Sequence, residues 1–358
     1  MTSYSASSSL YDLSPLLELE MARYTLCFST RAKVTIHELA ALIRSRLGAI
    51  LKDSFCEFQD YKNKPCDSCE LAPDCLYIRL FAPTCESVEK SFQGKGRCHI
   101  DPPRPYTLAA IGRGDKSGVV LTLFGLEAIE HQEIMRASLA EAAHSLKIRH
   151  LDPSLDPSLD PSDDRVSERL LEKLSWSALL PVQEDGRYCF VKAGEDSLMQ
   201  KAPTPPLHDW VYALPDPCEN KDALGHTLLE LNFPVPFQLE RMSAKFIFTA
   251  FLQSAISRLR DLKRIYHPDN DMGKFSKQFY SKADAVTVYS NLSRSEYSWY
   301  SQHRKKKIFL GGFAGSVMLK GDLEPFIPVL AAAFYTGTGK KTVYGLGRFD
   351  TVSWSGVF

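Results

Sequence analysis

Residues 337–347 read GTGKKTVYGLG, in which two Gly-x-Gly pairs bracket a core that carries Lys340 and Lys341. Glycine adopts positive φ without steric cost and lets another backbone come close, so the pattern predicts a tight loop with exposed main-chain N–H groups. Lysines beside such groups suit a phosphodiester chain. The alternative is an ordinary turn before a last strand, with both lysines merely solvated. We predict that the loop binds nucleic acid through these lysines and the four glycines, Gly337, Gly339, Gly345 and Gly347.

Two further motifs lie just upstream of this loop. Residues 311–315 read GGFAG, and residues 321–330 read GDLEPFIPVL. Together with the loop, and in the same order, they resemble the carboxy-terminal domain of the CRISPR-associated RAMP endoribonucleases that cut repeat RNA, the Cas six family. The resemblance covers residues 225–352 and, more loosely, residues 15–125. It implies a metal-independent enzyme that binds CRISPR repeat RNA and cleaves precursor crRNA by attack of a 2′-hydroxyl on the scissile phosphate, with no cofactor for catalysis.

The charge of the chain is unevenly distributed. The 358 residues have no net charge, yet residues 241–310 hold 14 basic and 5 acidic residues, whereas residues 151–240 hold 7 basic and 17 acidic ones. A protein with one basic face binds RNA locally even when its total charge is zero. Solvated helix faces are the alternative. Residues 1–10 lack the basic and apolar regions of a signal peptide, and no apolar run reaches the ~18 residues that span a bilayer, so we expect a cytoplasmic protein.

Hydrophobic periodicity predicts two units of similar order. In residues 1–150 the predicted elements are a strand at 23–28, a helix at 35–52, strands at 106–112 and 118–124, and a helix at 128–146. This β-α-β-β-α order begins a ferredoxin-like unit, and a cysteine-rich insertion at 56–85 interrupts it. Residues 151–164 contain three LDPS repeats and are predicted to be a linker, because proline blocks helices and the acids keep the segment solvated.

The carboxy-terminal unit, residues 223–358, repeats this order. The predicted elements are a strand at 228–233, a helix at 244–265, strands at 285–289 and 308–320, a helix at 323–333 and a closing strand at 345–352. Residues 165–222 fit neither unit and are predicted to be an insertion of uncertain structure. The predicted fold class is α+β, with two tandem ferredoxin-like domains of the RRM-like, RAMP type.

Four cysteines lie within twenty residues, at Cys56, Cys66, Cys69 and Cys75. Cytosolic thiols stay reduced, and closely spaced thiolates that include a C-x2-C pair suit tetrahedral zinc. We predict a structural zinc site that stabilises a loop too small for its own core. Unligated thiols are the alternative.

Metal-free RNA cleavage needs a general acid or base that titrates near neutral pH, which points to histidine. The Cas six resemblance implies that this histidine lies on or just before the first helix, where His37 is found. Arg44 lies two turns further along the same helix face, and Lys52 lies beyond it on the same helix, so Arg44 or Lys52 is predicted to stabilise the phosphorane charge.

His303 is the alternative catalytic histidine. It lies in a run of aromatic and basic residues at 299–307, which suits RNA because rings stack on bases and cations contact phosphates. The run ends with four predicted RNA-binding residues, Arg304, Lys305, Lys306 and Lys307. A non-catalytic RAMP subunit that holds crRNA within a CRISPR effector complex is the alternative function, and the partners would then be crRNA and the other complex subunits.

Overall fold

The computed structural model describes residues 10–30, 35–57, 66, 69–72, 74–84, 102–113, 116–146, 170–184, 187–193, 204–219, 221–239, 245–267, 269, 271–301 and 306–354. The described elements of the amino-terminal half are, in chain order, β1 (Tyr11–Asp12), α1 (Ser14–Leu17), β2 (Met21–Thr30), α2 (Ile36–Phe55), α3 (Leu76–Leu80), β3 (Tyr106–Arg113), β4 (Lys116–Phe124), α4 (Leu126–Glu130), α5 (Gln132–His144), β5 (Leu171–Glu184) and β6 (Arg187–Ala193).

The described elements of the carboxy-terminal half are α6 (Leu207–Ala213), a 3₁₀ turn (Pro217–Glu219), β7 (Thr227–Phe237), α7 (Phe248–Tyr266), β8 (Lys274–Phe275), α8 (Lys277–Asp284), β9 (Thr287–Ser295), β10 (Ser298–Ser301), β11 (Lys306–Phe309), β12 (Gly312–Gly321), a 3₁₀ turn (Glu324–Phe326), α9 (Ile327–Thr336) and a 3₁₀ turn (Thr342–Tyr344). Helices pack on antiparallel sheets, so the α+β prediction is confirmed.

The first sheet has the strand order β3-β4-β2-β5-β6, and every neighbouring pair is antiparallel. The sequence pattern predicts that residues 165–222 belong to neither unit, whereas in the structure the first half of β5, from Leu171 to Ser177, pairs with β2 and the second half pairs with β6. The reason is that β5 is only half-buried, so its sequence lacks the clear alternation of a core strand. The predicted helix at 128–146 is divided into α4 and α5 at His131, whose φ of −97° and ψ of 18° depart from helical values.

Helix α2 covers one face of this sheet. Its first turn is closed by a capping box, because the Thr35 amide donates to the Glu38 carboxylate over 3.0 Å while the Thr35 side chain caps the turn in return. The buried residues Leu39, Ile43 and Leu47 then recur at helical spacing and pack into the amino-terminal core. The helix reaches Phe55, slightly beyond its predicted end.

The second sheet has the order β7-β12-β9, again antiparallel. The predicted strand at 308–320 is divided into β11 and β12, because Gly311 lies against the Phe309 ring and the Ser295 carbonyl and turns the chain. The predicted closing strand at 345–352 is wrong: one isolated bridge, Asn232 to Asp350, is recorded there. Positive φ at the glycines of this segment interrupts an extended backbone.

The two halves share a hydrophobic core that includes Leu16 and Met21 of the amino-terminal segment, Phe251 of α7 and Phe349. At its edge Lys263 is fully buried, and its Nζ lies 2.7 Å from the Glu18 carboxylate. Within the described part of the chain, no helix has both the length and the apolar character that crossing a membrane requires.

Candidate nucleic-acid interface

The glycine-rich loop, defined as residues 337–347, has the backbone that its sequence predicts. All four of its glycines have positive φ, between 71° and 85°. A Cβ built on Gly339 would lie 2.2 Å from the Gln238 carbonyl oxygen, and one built on Gly347 would lie 1.9 Å from the Thr338 carbonyl oxygen. Side chains would therefore collide with main chain at both positions, so glycine is required there by contacts within the protein itself.

Several main-chain N–H groups of the loop already donate within the chain. The amide of Thr338 donates to the Gly347 carbonyl (2.9 Å), that of Lys340 to the Gln238 carbonyl (3.0 Å) and that of Gly347 to the Pro236 carbonyl (3.1 Å). The expectation of exposed main-chain donors is wrong for these three groups. They close the loop on itself and attach it to the end of β7.

The two lysines of the loop have different environments. Lys340 is exposed. Lys341 adopts a left-handed backbone with φ of 63°, its ammonium donates to the Phe309 carbonyl, and its Nζ lies 5.8 Å from the centre of the Phe309 ring. Burial, and the adjacent charge of Lys340, lower the pKa of Lys341. Lys341 thus attaches the loop to β11, and Lys340 presents its charge to solvent.

The first turns of α2 pack directly against the loop. A Cβ on Gly345 would lie 3.0 Å from the Ala40 Cβ, and Ala41 shares a small buried cluster with Leu310 and Leu346. His37 is the second residue of α2, one turn before Ala40 and Ala41. The position of its side chain lies outside the described structure. Its backbone lies at the end of the helix that contacts the loop.

The β10–β11 hairpin meets the same end of α2. The Leu310 amide donates to the Tyr297 carbonyl (2.7 Å), which closes the base of the hairpin. Burial, and the nearby Glu38 carboxylate of α2, raise the pKa of the Tyr297 phenol. Lys307 is exposed on β11 and pairs with Tyr300 across the hairpin. His303, Arg304 and Lys305, and the side chain of Lys306, lie outside the described residues.

The loop, the first turn of α2 and the hairpin therefore converge, and two exposed lysines, Lys340 and Lys307, belong to the assembled surface. We call these three elements the basic junction. The sequence indicated residues on each of the three elements, but it carries no signal that joins the elements. Two residues that the sequence did not single out connect the hairpin to the other elements: Tyr297 packs against the cluster of Ala41 and Leu346, and the Phe309 carbonyl accepts from Lys341.

The other two predicted catalytic residues are engaged elsewhere. The Arg44 guanidinium carbon lies 4.0 Å from the Tyr344 ring centre and 4.9 Å from that of Phe81. Lys52 is buried beside Cys66. Since α2 is continuous and rises about 1.5 Å per residue, Lys52 lies about 22 Å along its axis from His37. One scissile phosphate cannot contact both, so the structure does not bring His37, Arg44 and Lys52 together.

The cysteines lie at the opposite end of α2. Burial raises the pKa of Cys66, Lys52 partly offsets this rise, and Cys56 and Cys75 are near enough to raise it further. Cys66, Cys69 and Cys75 are half-buried against the amino-terminal core. No group of three or more His, Cys, Asp or Glu side chains among the described residues is placed to hold a metal ion. Thiolate sulfur is a good zinc ligand, and the zinc site stays a prediction.

A small cavity lies between the first sheet and the loop. Arg23 of β2 and Arg348, which follows the loop, both line it, and each is less than a tenth exposed. Burial lowers the pKa of Arg23 to about 10, and it also lowers the pKa of Arg348. The Asp350 carboxylate partly offsets both decreases. Arg348 also donates to the Ala110 carbonyl (3.1 Å) and to the Asp350 carboxylate (2.9 Å). These bonds fix the loop against β3.

The part of the chain that carries most of this surface matches a known protein family. Residues 229–349, which run from β7 through the loop, match the family model described as CRISPR-associated endoribonuclease Cas6. This carboxy-terminal part of the chain is therefore similar to the Cas6 family. The match confirms the Cas six resemblance that the sequence motifs of this part of the chain indicated. Residues 17–149 match a second model, which is described as an N-terminal domain.

Solved structures of Cas6 proteins are among those similar to this chain. Thermus thermophilus Cas6 (TTHB231) is 14% identical with a TM-score of 0.44, and the alignment covers 93% of this chain and 99% of that one. The Cas6 (TTHA0078) product complex is 17% identical with a TM-score of 0.38, covering 93% and 100%. A search of the curated proteins gave no match.

Proposed function

We propose that this chain is a metal-independent endoribonuclease of the Cas6 family that binds CRISPR repeat RNA and cleaves precursor crRNA. The observation that carries the proposal is the basic junction, where the first turn of α2, the glycine-rich loop and the hairpin meet. The exposed lysines Lys340 and Lys307 would hold backbone phosphates there. We further propose that the chain acts in the cytoplasm and that both halves are ferredoxin-like units, with β5 completing the first and the segment around Asp350 replacing the last strand of the second.

His37 is proposed as the group that moves the proton. The 2′-hydroxyl loses its proton and attacks the adjacent phosphorus, the bond from phosphorus to the 5′-oxygen breaks, and that oxygen takes up a proton. A 2′,3′-cyclic phosphate and a 5′-hydroxyl result, with no net change in protons. A histidine at the end of α2 that contacts the loop is suited to this exchange, because an imidazole exists in both protonation states near neutral pH. Arg44 and Lys52 have no direct role in this proposal.

The test is incubation of the labelled repeat RNA of the same genome with protein in EDTA. We expect one discrete cut by wild type and by His144→Ala, a control that removes an exposed histidine at the end of α5. We expect at least a hundredfold slower cutting by His37→Ala, within the range that acid–base catalysis contributes. Unimpaired cutting by His37→Ala together with loss in His303→Ala would transfer the role to His303. Cutting that needs added metal would refute the proposal.

A second candidate function is RNA binding without cleavage, as a RAMP subunit of a CRISPR effector complex. It is favoured by the internal engagement of Arg44 and Lys52, which leaves the first turn of α2 without the cations that were predicted to stabilise a phosphorane. Binding of the repeat RNA with no product after hours of incubation would decide for it. Co-purification with other complex subunits would then identify the partners.

A further inference from the structure

Arg44 lies between two aromatic rings that belong to separate parts of the chain. Its guanidinium carbon is 4.0 Å from the ring centre of Tyr344 in the glycine-rich loop and 4.9 Å from that of Phe81, which follows α3. Its Nε is buried and has no hydrogen-bond partner among the described residues. The guanidinium lies over the faces of both rings and is attracted to each, and its planar shape suits stacking on them.

The Phe81 side of this arrangement is rigid. The Phe81 ring stacks on Tyr77 (5.4 Å between centres, 28° between planes) and on Tyr106 of β3 (5.8 Å, 18°). It also lies against Gly48 of α2, where a Cβ would come 2.4 Å from the ring. Arg44 itself partly offsets the rise in pKa that burial gives to Tyr77 and Tyr106. Phe81 is thus a fixed surface formed by the cysteine-bearing segment and the sheet.

The Tyr344 side belongs to the loop that carries the lysines. The Tyr344 amide donates to the Lys341 carbonyl (2.9 Å), and the next residue, Gly345, packs on Ala40 of α2. A shift of the Tyr344 ring therefore moves Lys340 and Lys341 relative to the first turn of α2. The Tyr344 ring is thus one of the contacts that position the two lysines of this turn.

We propose that Arg44 is a positioning residue: it couples the segment that ends at Phe81 to the glycine-rich loop by stacking on Tyr344, and it does not contact the phosphate. The effect on RNA rests on the proposed function, whereas the coupling between the two segments does not. Lysine cannot replace Arg44 in this role, because an ammonium offers a point charge and no plane. A residue that bound a phosphate through its charge alone would tolerate lysine.

A double-mutant cycle tests the coupling, with Arg44→Met, Tyr344→Leu and both changes together, and with the repeat RNA as the probe. We expect each single change to weaken RNA binding by about five- to twentyfold, the range of one or two cation–aromatic contacts. The double variant should lose no more than the weaker-binding single one, since either change breaks the same stack. Arg44→Lys should not restore binding. Arg187→Met, which removes an exposed arginine at the far edge of the first sheet, is the matched control and should bind as wild type.

Amide hydrogen exchange without RNA provides a readout independent of activity. The Thr338 and Gly347 amides should exchange about tenfold faster in Arg44→Met, where the loop has lost its ring support, and at the wild-type rate in Arg187→Met. If no variant and no wild-type protein binds RNA, the proposed function fails while this measurement still tests the coupling. Additive binding losses with rescue by Arg44→Lys, or unchanged exchange in Arg44→Met, would overturn the proposal.

Discussion

Replacement of Gly347 by alanine should destabilise the protein by about 2–5 kcal/mol. The left-handed backbone at this residue, with φ of +75°, costs a non-glycine residue about 1–2 kcal/mol. The added Cβ would lie 1.9 Å from the Thr338 carbonyl oxygen, so the loop has to open. Opening breaks the 2.9 Å bond from the Thr338 amide to the Gly347 carbonyl, and leaving that buried pair unsatisfied costs about 1–3 kcal/mol more.

The assay is equilibrium unfolding in urea, followed by circular dichroism and by tryptophan fluorescence. Gly225→Ala is the matched control, because Gly225 has φ of +80° but no atom within 4 Å of the position of its Cβ. It should lose only the backbone contribution, about 1–2 kcal/mol. Equal losses in the two variants would refute the reasoning, since they would mean that the close approach of Gly347 to Thr338 does not hold the loop. Coincident transitions by both probes are needed to convert midpoints into free energies.

Three further predictions concern charge and metal. Asp350→Asn leaves the buried Arg348 guanidinium without its carboxylate and should cost about 3 kcal/mol in the same unfolding assay, whereas a loss below about 0.5 kcal/mol would contradict this. Lys340→Ala should weaken RNA binding and reduce the slope of log affinity against log salt by about 1, while the control Lys192→Ala, on β6, should leave that slope unchanged. Elemental analysis should find about one zinc ion per chain in wild type and less zinc per chain in Cys66→Ser. Zinc binding should weaken at low pH, because protons compete with the metal for the thiolates. Wild-type protein without zinc would refute the site.

The loop backbone was predictable because its cause is local. The spacing of the glycines in residues 337–347 predicts positive φ, and all four glycines of the loop have positive φ in the structure. The closing strand predicted at 345–352, directly after this turn, was wrong. The glycines that make the turn also prevent the next residues from continuing as a ladder, so one bridge to Asn232 is recorded.

Contacts between distant segments were not predictable. Arg44 contacts Phe81, which lies 37 positions later in the chain, and Tyr344, which lies 300 positions later. No periodicity or spacing in the sequence indicates these contacts. A cation two turns from a histidine on one helix face is equally consistent with a phosphate ligand and with a stacking partner. The pairing of β5 with β2 has a similar cause, since a half-buried strand across a long linker carries little pattern of its own.

The proposed function depends on one RNA-binding surface formed by the first turn of α2, the glycine-rich loop and the β10–β11 hairpin. The most direct test is amide hydrogen exchange with the repeat RNA in fully 2′-O-methylated form, which lacks the attacking hydroxyl and stays intact. We expect this RNA to slow exchange in all three elements at the same concentration and to leave exchange in β6 unchanged. Protection of one element alone, or of a surface that excludes the loop, would contradict it.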